Sequence, residues 1–346
     1  MSGFFPAMVK AAIDNGILGR PRPLMLLLEP SQKCNAKCPF CYHWQEEETS
    51  ELTLDEIRRL LCEAWELGCR FLYFSGGEPT IYRQAEAALA AARTCGYNIS
   101  LTTNGSMLAR RLPALAPYLD GLTVSLDYAD ETHDFVRGLP GLYQAAVDGL
   151  ALAARYGLPT RINMSISPAN EGHVERLAQL ARAVGAGLHV RLLTRESSAL
   201  EIAAYDHVGA AEAARRMLVL REQYRDVLLT PAAYFQHIAE TRKFTCRPLS
   251  LLLTVDSSGR LFVPCPRWEG TKERTAGNIR EASLDQLWHS PEADAIRHEA
   301  AGCSPGVDCY TSCILDISLM ANLAGSMLVE QFTGNQALLR YFWRSP

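Results

Sequence analysis

Short apolar runs alternate with longer amphipathic segments over the first two thirds of the chain. The runs are short enough for buried parallel strands and lie at residues 24–29, 70–74, 98–102, 121–126, 160–166 and 187–193. The segments between them repeat apolar residues at helical spacing near 53–67, 81–95, 107–117, 140–156, 171–184 and 206–226. Strands that alternate with helices of this length predict an α/β fold, in which a parallel sheet carries helices on its outside.

The number of strand–helix units indicates the architecture. We count six units, whereas a full TIM barrel has eight, so the pattern predicts a partial (β/α)6 TIM-like barrel. A flat doubly wound sheet is the alternative. In both folds the loops at the carboxyl ends of the strands carry the functional side chains, so the expected place of the motifs is the same.

The first 20 residues place Phe5, Val9 and Ile13 near helical spacing, with Lys10 among the polar residues. This pattern predicts a short amphipathic helix. Two interpretations are open. The helix is either a lid over the bottom or the open side of the barrel, or a docking surface for a membrane or an apolar substrate.

The strand–helix alternation ends near residue 240. Apolar runs at 249–255 and 260–264 flank a turn that contains Gly259, which predicts a β-hairpin, and a short helix follows at 283–288. The change in pattern predicts three parts: an amino-terminal helix at 1–21, a barrel at 22–240, and a small cysteine-rich β-hairpin/helix extension with the carboxyl-terminal tail at 241–346.

The composition is that of an ordinary globular protein. The 346 residues are 48% hydrophobic and 21% charged, with a formal net charge of −4, so nothing points to nucleic acid as a partner. We find no signal-peptide pattern, and no apolar run reaches the roughly 18 residues that span a bilayer. The 11 cysteines are clustered, unlike those of a secreted disulfide scaffold. We therefore expect the reducing cytoplasm, with any membrane contact at the periphery.

Three cysteines lie directly after the first predicted strand. Cys34, Cys38 and Cys41 have the spacing C-x3-C-x2-C. Three thiolates can hold three irons of a [4Fe–4S] cube, and the fourth iron is then open to a chelating small molecule. A zinc knuckle that lacks one ligand is the alternative, although zinc sites normally pair C-x2-C motifs or combine Cys with His.

This stretch resembles the cluster motif of the radical S-adenosylmethionine (SAM) superfamily, with Phe40 at the aromatic position before the third cysteine. The resemblance implies a [4Fe–4S] cluster with an open iron, SAM as cofactor, and a partial barrel. Gly76, Gly77 and Glu78 follow the second strand and match the GGE motif of the family, which implies that they lie against the amino group of SAM. Glycines at such positions let the backbone approach a ligand closely.

Two residues at strand ends are further candidate SAM contacts. Asn104 follows the third strand and Ser125 ends the fourth, and both resemble polar barrel-top positions of the family. The resemblance implies that Ser125 reaches the carboxylate or ribose of SAM. An ordinary turn at Asn104 and a barrel-interior hydroxyl at Ser125 are the alternatives.

Four more polar residues follow or lie on the later strands. Arg137 belongs to a stretch that resembles the HDxxRG sequence of related maturases, and we expect it to pair with the SAM carboxylate or with Asp127, unless the stretch is a solvated charge run. Asn163, Ser165 and Arg191 alternate with apolar neighbours, which is the pattern of side chains that face a barrel interior. They are candidates for ribose, carboxylate or substrate contacts.

Five cysteines of the extension form a second group. With the Gly-Asn-Ile stretch at 277–279 they resemble the SPASM/twitch extension of radical SAM enzymes, although the full SPASM pattern has more cysteines. Two all-cysteine cubes would need eight thiolates, so the resemblance implies one auxiliary [4Fe–4S] cluster, held by four of Cys246, Cys265, Cys303, Cys309 and Cys313. Cys303 or Cys309 is then the spare thiol and a candidate hydrogen donor. One structural zinc is the alternative.

Cys62, Cys69 and Cys95 lie in segments that have the pattern of helix or strand. We expect these three residues to be buried small hydrophobic side chains, because free cysteine is among the most buried residue types.

The resemblance also implies a reaction. In the family, a reduced cluster gives one electron to SAM, and a 5′-deoxyadenosyl radical abstracts hydrogen from the substrate, with a reductant such as flavodoxin or ferredoxin. The outcome is an oxidation, a bond formation or an epimerisation. Lipid, sugar or aminocyclitol, and peptide substrates stay open, although the 33 residues before Cys34 are too few for a leader-binding domain. A non-catalytic, zinc-stapled binding protein on a barrel scaffold is the alternative function.

Overall fold

The computed structural model describes residues 4–41, 43–45, 50–193, 204–242, 246–247, 249–263 and 274–302. Within these ranges the strands are β1 Met25–Leu28, β2 Phe71–Phe74, β3 Asn98–Thr103, β4 Gly121–Ser125, β5 Thr160–Ile166, β6 Gly187–Leu192, β7 Leu252–Val255, β8 Arg260–Phe262 and β9 Thr275–Asn278. They form one sheet in the order β6-β5-β4-β3-β2-β1-β7-β8-β9.

Strands β1 to β6 pair in parallel and lie in the order of the sequence. The described sheet does not close on itself. A doubly wound sheet reverses its strand order at a switch point, and β1 to β6 show no reversal. The six-unit partial barrel is therefore confirmed.

The helices lie between the strands as the periodicity predicts. Their bounds are α1 Phe4–Ala12, α2 Leu54–Leu67, α3 Ala85–Cys95, α4 Leu108–Leu115, α5 Thr132–Arg137, α6 Leu142–Arg155, α7 Val174–Val184, α8 His207–Gln223, α9 Ala232–Ala239, α10 Leu284–Trp288 and α11 Pro291–Gly302. Helix α2 begins with a capping box of Thr53 and Glu56. It ends at Gly68, whose φ of 126° a side chain would strain.

The two faces of the sheet are covered differently. On β1 and β2, Leu26 and Leu72 belong to the main core, which includes side chains of the outer helices. Met25 and Phe71, one position before them, belong to a separate small cluster on the opposite face. Successive side chains of a strand point to opposite faces, so this second face is the inside of the partial barrel.

The amino-terminal segment folds as α1 followed by a π-helical turn, Ile13–Ile17. Ala11 packs against Met25 and Leu251 at the start of β1 and β7, as a lid over the barrel bottom would. Val9 and Ile17 are exposed, and contact with a membrane or an apolar substrate stays a prediction. In the ranges that the structure describes, every helix is too short or too polar to cross a bilayer.

The extension continues the barrel sheet. Strand β7 pairs in parallel with β1, and β8 and β9 follow antiparallel, so the predicted hairpin is confirmed. The buried carboxylate of Asp256 shapes its turn by accepting hydrogen bonds from the backbone N–H groups of Ser258 and Arg260 at 2.9 and 3.0 Å. The division of the chain into three parts stays a prediction.

Two of the three cysteines expected to be buried are not. Cys69, directly before β2, is fully buried. Cys62 on α2 is exposed, and Cys95 at the end of α3 is only partly buried. The expectation was wrong for Cys62 because this position falls on the solvent side of an amphipathic helix, whose buried side is formed by Ile57, Leu60, Leu61 and Ala64.

Candidate active site

The loop after β1 carries Cys34, Cys38 and Cys41 along the carboxyl edge of the sheet. Cys38 is buried, and the other two thiols are partly buried. Burial raises the pKa of Cys34 to about 11 and that of Cys41 to about 12. The Cys34 sulfur accepts a hydrogen bond from the backbone N–H of Ala36 at 3.4 Å. The loop therefore concentrates three thiols in a largely water-excluded place.

Gly76 and Gly77 pack directly on the backbone of this loop. The N–H of Gly77 donates to the carbonyl of Ser31 at 2.9 Å, and the N–H of Glu78 donates to that of Lys33 at 2.8 Å. A Cβ atom on Gly77 would lie 2.2 Å from the Lys33 oxygen, and one on Gly76 would lie 2.6 Å from the Ser31 oxygen. The two glycines are therefore needed to seat the cysteine loop.

The Glu78 carboxylate is buried and accepts four hydrogen bonds. Oε1 accepts from the backbone N–H of Thr80 at 2.9 Å and from the hydroxyls of Thr80 and Thr103, the latter at 2.7 Å. Oε2 accepts from the backbone N–H of Asn104 at 2.7 Å. Burial raises the pKa of Glu78, and these donors oppose the rise. The side chain thus ties the loop after β2 to the end of β3.

Asn104 reaches the cysteine loop from the end of β3. Its side-chain amide donates to Oδ1 of Asn35 at 2.9 Å, and Asn35 in turn donates to the hydroxyl of Ser106 at 2.9 Å. Asn35 follows Cys34 directly, so Asn104 holds the backbone next to the first thiol. Its predicted contact with SAM stays a prediction.

Arg137 pairs with Asp127, one of the two partners expected for it. Nε and Nη2 donate to Oδ2 of Asp127 at 2.9 and 2.7 Å, and both residues are buried. Although burial opposes it, Asp127 and the nearby thiols raise the pKa of Arg137 above its usual value. The guanidinium lies 5.6 Å from the Phe40 ring centre and interacts with Cys38, whose pKa it partly lowers against the rise due to burial. A buried cation therefore faces the three thiols.

Arg137 and its neighbours also join α5 to the cysteine loop. The backbone carbonyl of Arg137 accepts from the N–H of Lys37 at 2.8 Å, which joins α5 to the cysteine loop. Nδ1 of buried His133 accepts from the N–H of Asp127 at 3.2 Å, and burial lowers the pKa of His133 to about 4. Asp134 accepts from the N–H of Tyr143 at 2.6 Å, near the start of α6. The stretch is thus a structured junction rather than a solvated charge run.

The remaining predicted residues lie side by side on the inner face of the sheet. The strand register places Ser125 beside Asn163 and Asn163 beside His189. It also places Ser165 beside Arg191. All but His189 are partly buried. They form a continuous polar strip from β4 to β6 at the carboxyl half of the barrel.

The inner face near β5 and β6 is also cationic. Nε of Arg161 donates to the hydroxyl of Thr123 at 2.8 Å, and Nε of Arg191 lies 3.3 Å from Nδ1 of His189. Burial lowers the pKa of His189 well below its usual value, and the charges of Arg191 and Arg161 lower it further. The electrostatic potential at this position is therefore positive.

The donor set fits a cluster with three protein ligands. Cys34, Cys38 and Cys41 interact electrostatically with one another and with Arg137, and their thiols need only lose protons to become thiolate ligands. Within the described ranges, no three His, Cys, Asp or Glu side chains are arranged around a single metal ion. A cube places its cysteines on separate irons and does not require that arrangement.

The second cysteine group is described only in part. Cys246 is buried beside the main core. Cys265, Cys303, Cys309 and Cys313 lie outside the described residues. Their assignment to an auxiliary cluster, and the role of Cys303 or Cys309 as hydrogen donor, stay predictions.

Some residues of the site were not singled out from the sequence. They are Asn35, Thr80 and Thr103, which hold Asn104 and Glu78, and the inner-face residues Arg161 and His189. The inner-face pair carried a usable signal, because polar residues alternate with apolar ones on β5 and β6. No sequence signal identified Asn35, Thr80 and Thr103, since a loop hydroxyl or amide is equally typical of an ordinary turn.

Known proteins resemble the chain over both cysteine regions. Residues 28–181 match the sequence profile of the radical SAM superfamily, and residues 246–313 match that of the SPASM iron–sulfur cluster-binding domain. The AdoMet-dependent heme synthase of Methanosarcina barkeri is 26% identical over 78% of this chain and 83% of its own length. The PqqA peptide cyclase of Rhizobium meliloti is 27% identical over 80% of this chain and 76% of its own length. The structure of Streptococcus suis SuiB bound to S-adenosylmethionine shares the fold, with a TM-score of 0.66 and 20% identity over 80% of this chain and 68% of that one.

Proposed function

The chain belongs to the radical SAM superfamily and carries a SPASM-type iron–sulfur domain, and from that premise we propose that Cys34, Cys38 and Cys41 hold a [4Fe–4S] cluster whose fourth iron takes SAM. When bound, this pair supplies the one-electron cleavage of SAM and a 5′-deoxyadenosyl radical for hydrogen abstraction. The observation that carries the proposal is the set of three thiols beside the buried Arg137 cation.

The protein positions the cluster loop and SAM and keeps water away from them. Gly76, Gly77 and Glu78 seat the cysteine loop through backbone contacts. Because the Glu78 carboxylate is occupied by four donors, we propose that the SAM ammonium is met mainly by the backbone of this loop. Ser125, Asn163, Ser165 and Arg191 are the proposed contacts of the ribose and carboxylate, since they form the adjoining polar strip.

We propose that the substrate carries a carboxylate or another anionic group. Arg161 and Arg191 make the inner face of β5 and β6 positive around His189, and a positive, partly desolvated wall favours an anion. A peptide with acidic side chains fits this description, and a relative at 27% identity is named a peptide cyclase. Neutral sugar and lipid substrates are less favoured by this wall.

The extension supports an oxidative outcome. We propose that four of the five cysteines from Cys246 to Cys313 hold one auxiliary [4Fe–4S] cluster, because the SPASM match begins and ends at these two residues. When bound, such a cluster would supply the electron acceptor that an oxidation or a bond formation requires. A flavodoxin or ferredoxin in the cytoplasm is the proposed electron donor.

The test is anaerobic reconstitution with iron and sulfide, followed by dithionite and SAM. The unmodified protein should form 5′-deoxyadenosine and show the absorption of iron–sulfur clusters. A triple variant Cys34→Ala, Cys38→Ala and Cys41→Ala should form none, whereas Cys62→Ala, at an exposed position, should match the unmodified protein. Bound zinc with no 5′-deoxyadenosine would instead support the binding-scaffold alternative. Deuterium transfer from labelled anionic candidates into 5′-deoxyadenosine then identifies the substrate.

A further inference from the structure

Asp127 and Arg137 form a buried ion pair next to the cysteine loop. Nε and Nη2 of Arg137 both donate to Oδ2 of Asp127, at 2.9 and 2.7 Å, and both side chains are buried. A buried pair of this kind is weak evidence for stability, because the loss of solvent offsets the attraction between the charges. Its place beside three candidate cluster ligands points instead to an electrostatic role.

Two contacts fix Arg137 at the middle of the loop. Its backbone carbonyl accepts from the N–H of Lys37 at 2.8 Å, and its guanidinium carbon lies 5.6 Å from the ring centre of Phe40. Cys38 stands between these two residues in the sequence and is itself buried. The contacts on both sides of Cys38 therefore place the cation beside the second of the three thiols.

The anion of the pair is anchored to other parts of the barrel. Oδ1 of Asp127 accepts from the backbone N–H of Ser165 on β5 at 3.0 Å, and the N–H of Asp127 donates to Nδ1 of His133 at 3.2 Å. Burial raises the pKa of Cys38, and the charge of Arg137 lowers it more than the charge of Asp127 raises it. The positive end of the pair therefore faces the loop.

We propose that this pair sets the reduction potential of the cluster held by Cys34, Cys38 and Cys41, with Arg137 making the cluster easier to reduce and Asp127 limiting that effect. The proposal rests on the proposed function, because it requires that cluster. A [4Fe–4S] cluster gains one negative charge when it takes one electron from a donor, so a nearby cation favours the reduced state. Burial keeps mobile ions from screening this attraction.

The test is a redox titration of the reconstituted full-length protein under anaerobic conditions. The EPR signal of the reduced cluster is recorded at a series of potentials set with dithionite and mediators. A signal that changes when SAM is added belongs to the cluster with the open iron, which separates it from an auxiliary cluster. Iron content is measured on each variant, and the readout requires neither a substrate nor turnover.

The two charges should act with opposite sign. Arg137→Met should lower the ratio of reduced to oxidised cluster at a fixed potential by about tenfold, which is about 59 mV for a one-electron couple. Asp127→Asn should raise that ratio by about threefold, because it removes the opposing charge and keeps the size of the side chain. The double variant should lie between the two single variants.

Two further variants separate charge from structure. Arg176→Met is the matched control, since Arg176 pairs with Asp130 but its side chain is 53% exposed. Water and salt screen an exposed charge, so the ratio should stay within about twofold of the unmodified protein. Arg137→Lys keeps a positive charge at the loop and should stay closer to the unmodified protein than Arg137→Met does.

The outcomes distinguish this proposal from the proposed function. If the unmodified protein forms no cluster that responds to SAM, both fail. If such a cluster forms, an unchanged ratio in Arg137→Met with full iron content overturns the role of the pair alone. A lowered or unchanged ratio in Asp127→Asn does the same, and this reading decides the matter even where Arg137→Met does not bind iron.

Discussion

The cysteine loop at 31–41 and the extension at 249–302 are attached to the same barrel by different interactions. The loop is held by backbone hydrogen bonds to Gly77 and Glu78 and lies against the buried pair of Arg137 and Asp127. The extension pairs β7 with β1 and shares the buried apolar core of the barrel, and its polar contacts with α2 are made by side chains close to solvent. The polar contacts of the loop are therefore buried, whereas the polar contacts between the extension and α2 lie close to solvent, where water weakens them.

The difference has a physical reason. A cluster loop must keep three thiols in place while they are desolvated, and only buried, fully satisfied contacts do so reliably. Ion pairs at a surface gain little because water already solvates both partners. Substitutions in the loop should therefore have larger effects than substitutions at the seam between α2 and the extension.

The largest effect is expected for Gly77→Ala. The new Cβ would lie 2.2 Å from the Lys33 carbonyl oxygen and 2.4 Å from that of Gln32, and neither backbone atom can move without displacing the loop. We expect a loss of about 3 kcal/mol or more in the free energy of unfolding. We also expect loss of most of the iron bound at the first cysteine group, measured by iron analysis after reconstitution.

Gly172→Ala is the matched control for this substitution. A Cβ on Gly172 meets nothing within 4 Å, so its effect should stay within about 0.5 kcal/mol. Equal iron content and equal stability in Gly77→Ala and the control would show that the loop is not seated by this glycine.

The next effect is expected for Arg137→Met. Removing the guanidinium leaves the Asp127 carboxylate buried without its cation, and breaking a buried pair in this way costs about 3–5 kcal/mol. Chemical denaturation measures the loss. The double variant Asp127→Asn with Arg137→Met should recover a large part of it, because no uncompensated charge remains.

Arg176→Met is the control for the same part of the fold. Arg176 pairs with Asp130 at 2.8 Å, but its side chain is 53% exposed, so the expected loss is about 0–1 kcal/mol. If the double variant at 127 and 137 were as unstable as Arg137→Met alone, the buried charge would not be the cause.

The sequence predicted the positions of the strands and of the motifs, because apolar runs and strand ends are local features. Gly76, Gly77 and Glu78 lie at the cysteine loop as their position after β2 indicates. The sequence did not distinguish the two partners of Arg137, since that choice depends on where Asp127 lies in space. It also did not show that Glu78 is occupied by Thr80, Thr103 and Asn104.

The exposure of Cys62 and Cys95 shows a second limit of sequence reasoning. From the sequence we expected Cys62 and Cys95 to be buried small hydrophobic side chains. The exposure of Cys62, however, depends on which side of α2 faces the core. The resemblance to a known family was equally silent about them, because these cysteines lie outside its motifs.

The smallest effect is expected at the seam, for Arg280→Ala. Nε of Arg280 donates to Oε1 of Glu56 at 2.5 Å, and this contact, with the capping hydrogen bonds from Thr53, lowers the pKa of Glu56 to about 2. Because the pKa is lower in the folded state, the stabilisation is present above the ordinary value of about 4.5 and is lost as the pH falls toward 2. Arg280→Ala should lower the free energy of unfolding by at most about 1 kcal/mol at pH 7. It should also reduce the fall in stability between pH 5 and pH 3, measured by urea denaturation.

Arg58→Ala, which removes an exposed pair with Asp55 on the same helix, should leave that pH dependence unchanged. An unchanged pH dependence in Arg280→Ala would mean that the seam does not hold Glu56 ionised, and that strand pairing and the shared apolar core attach the extension without it.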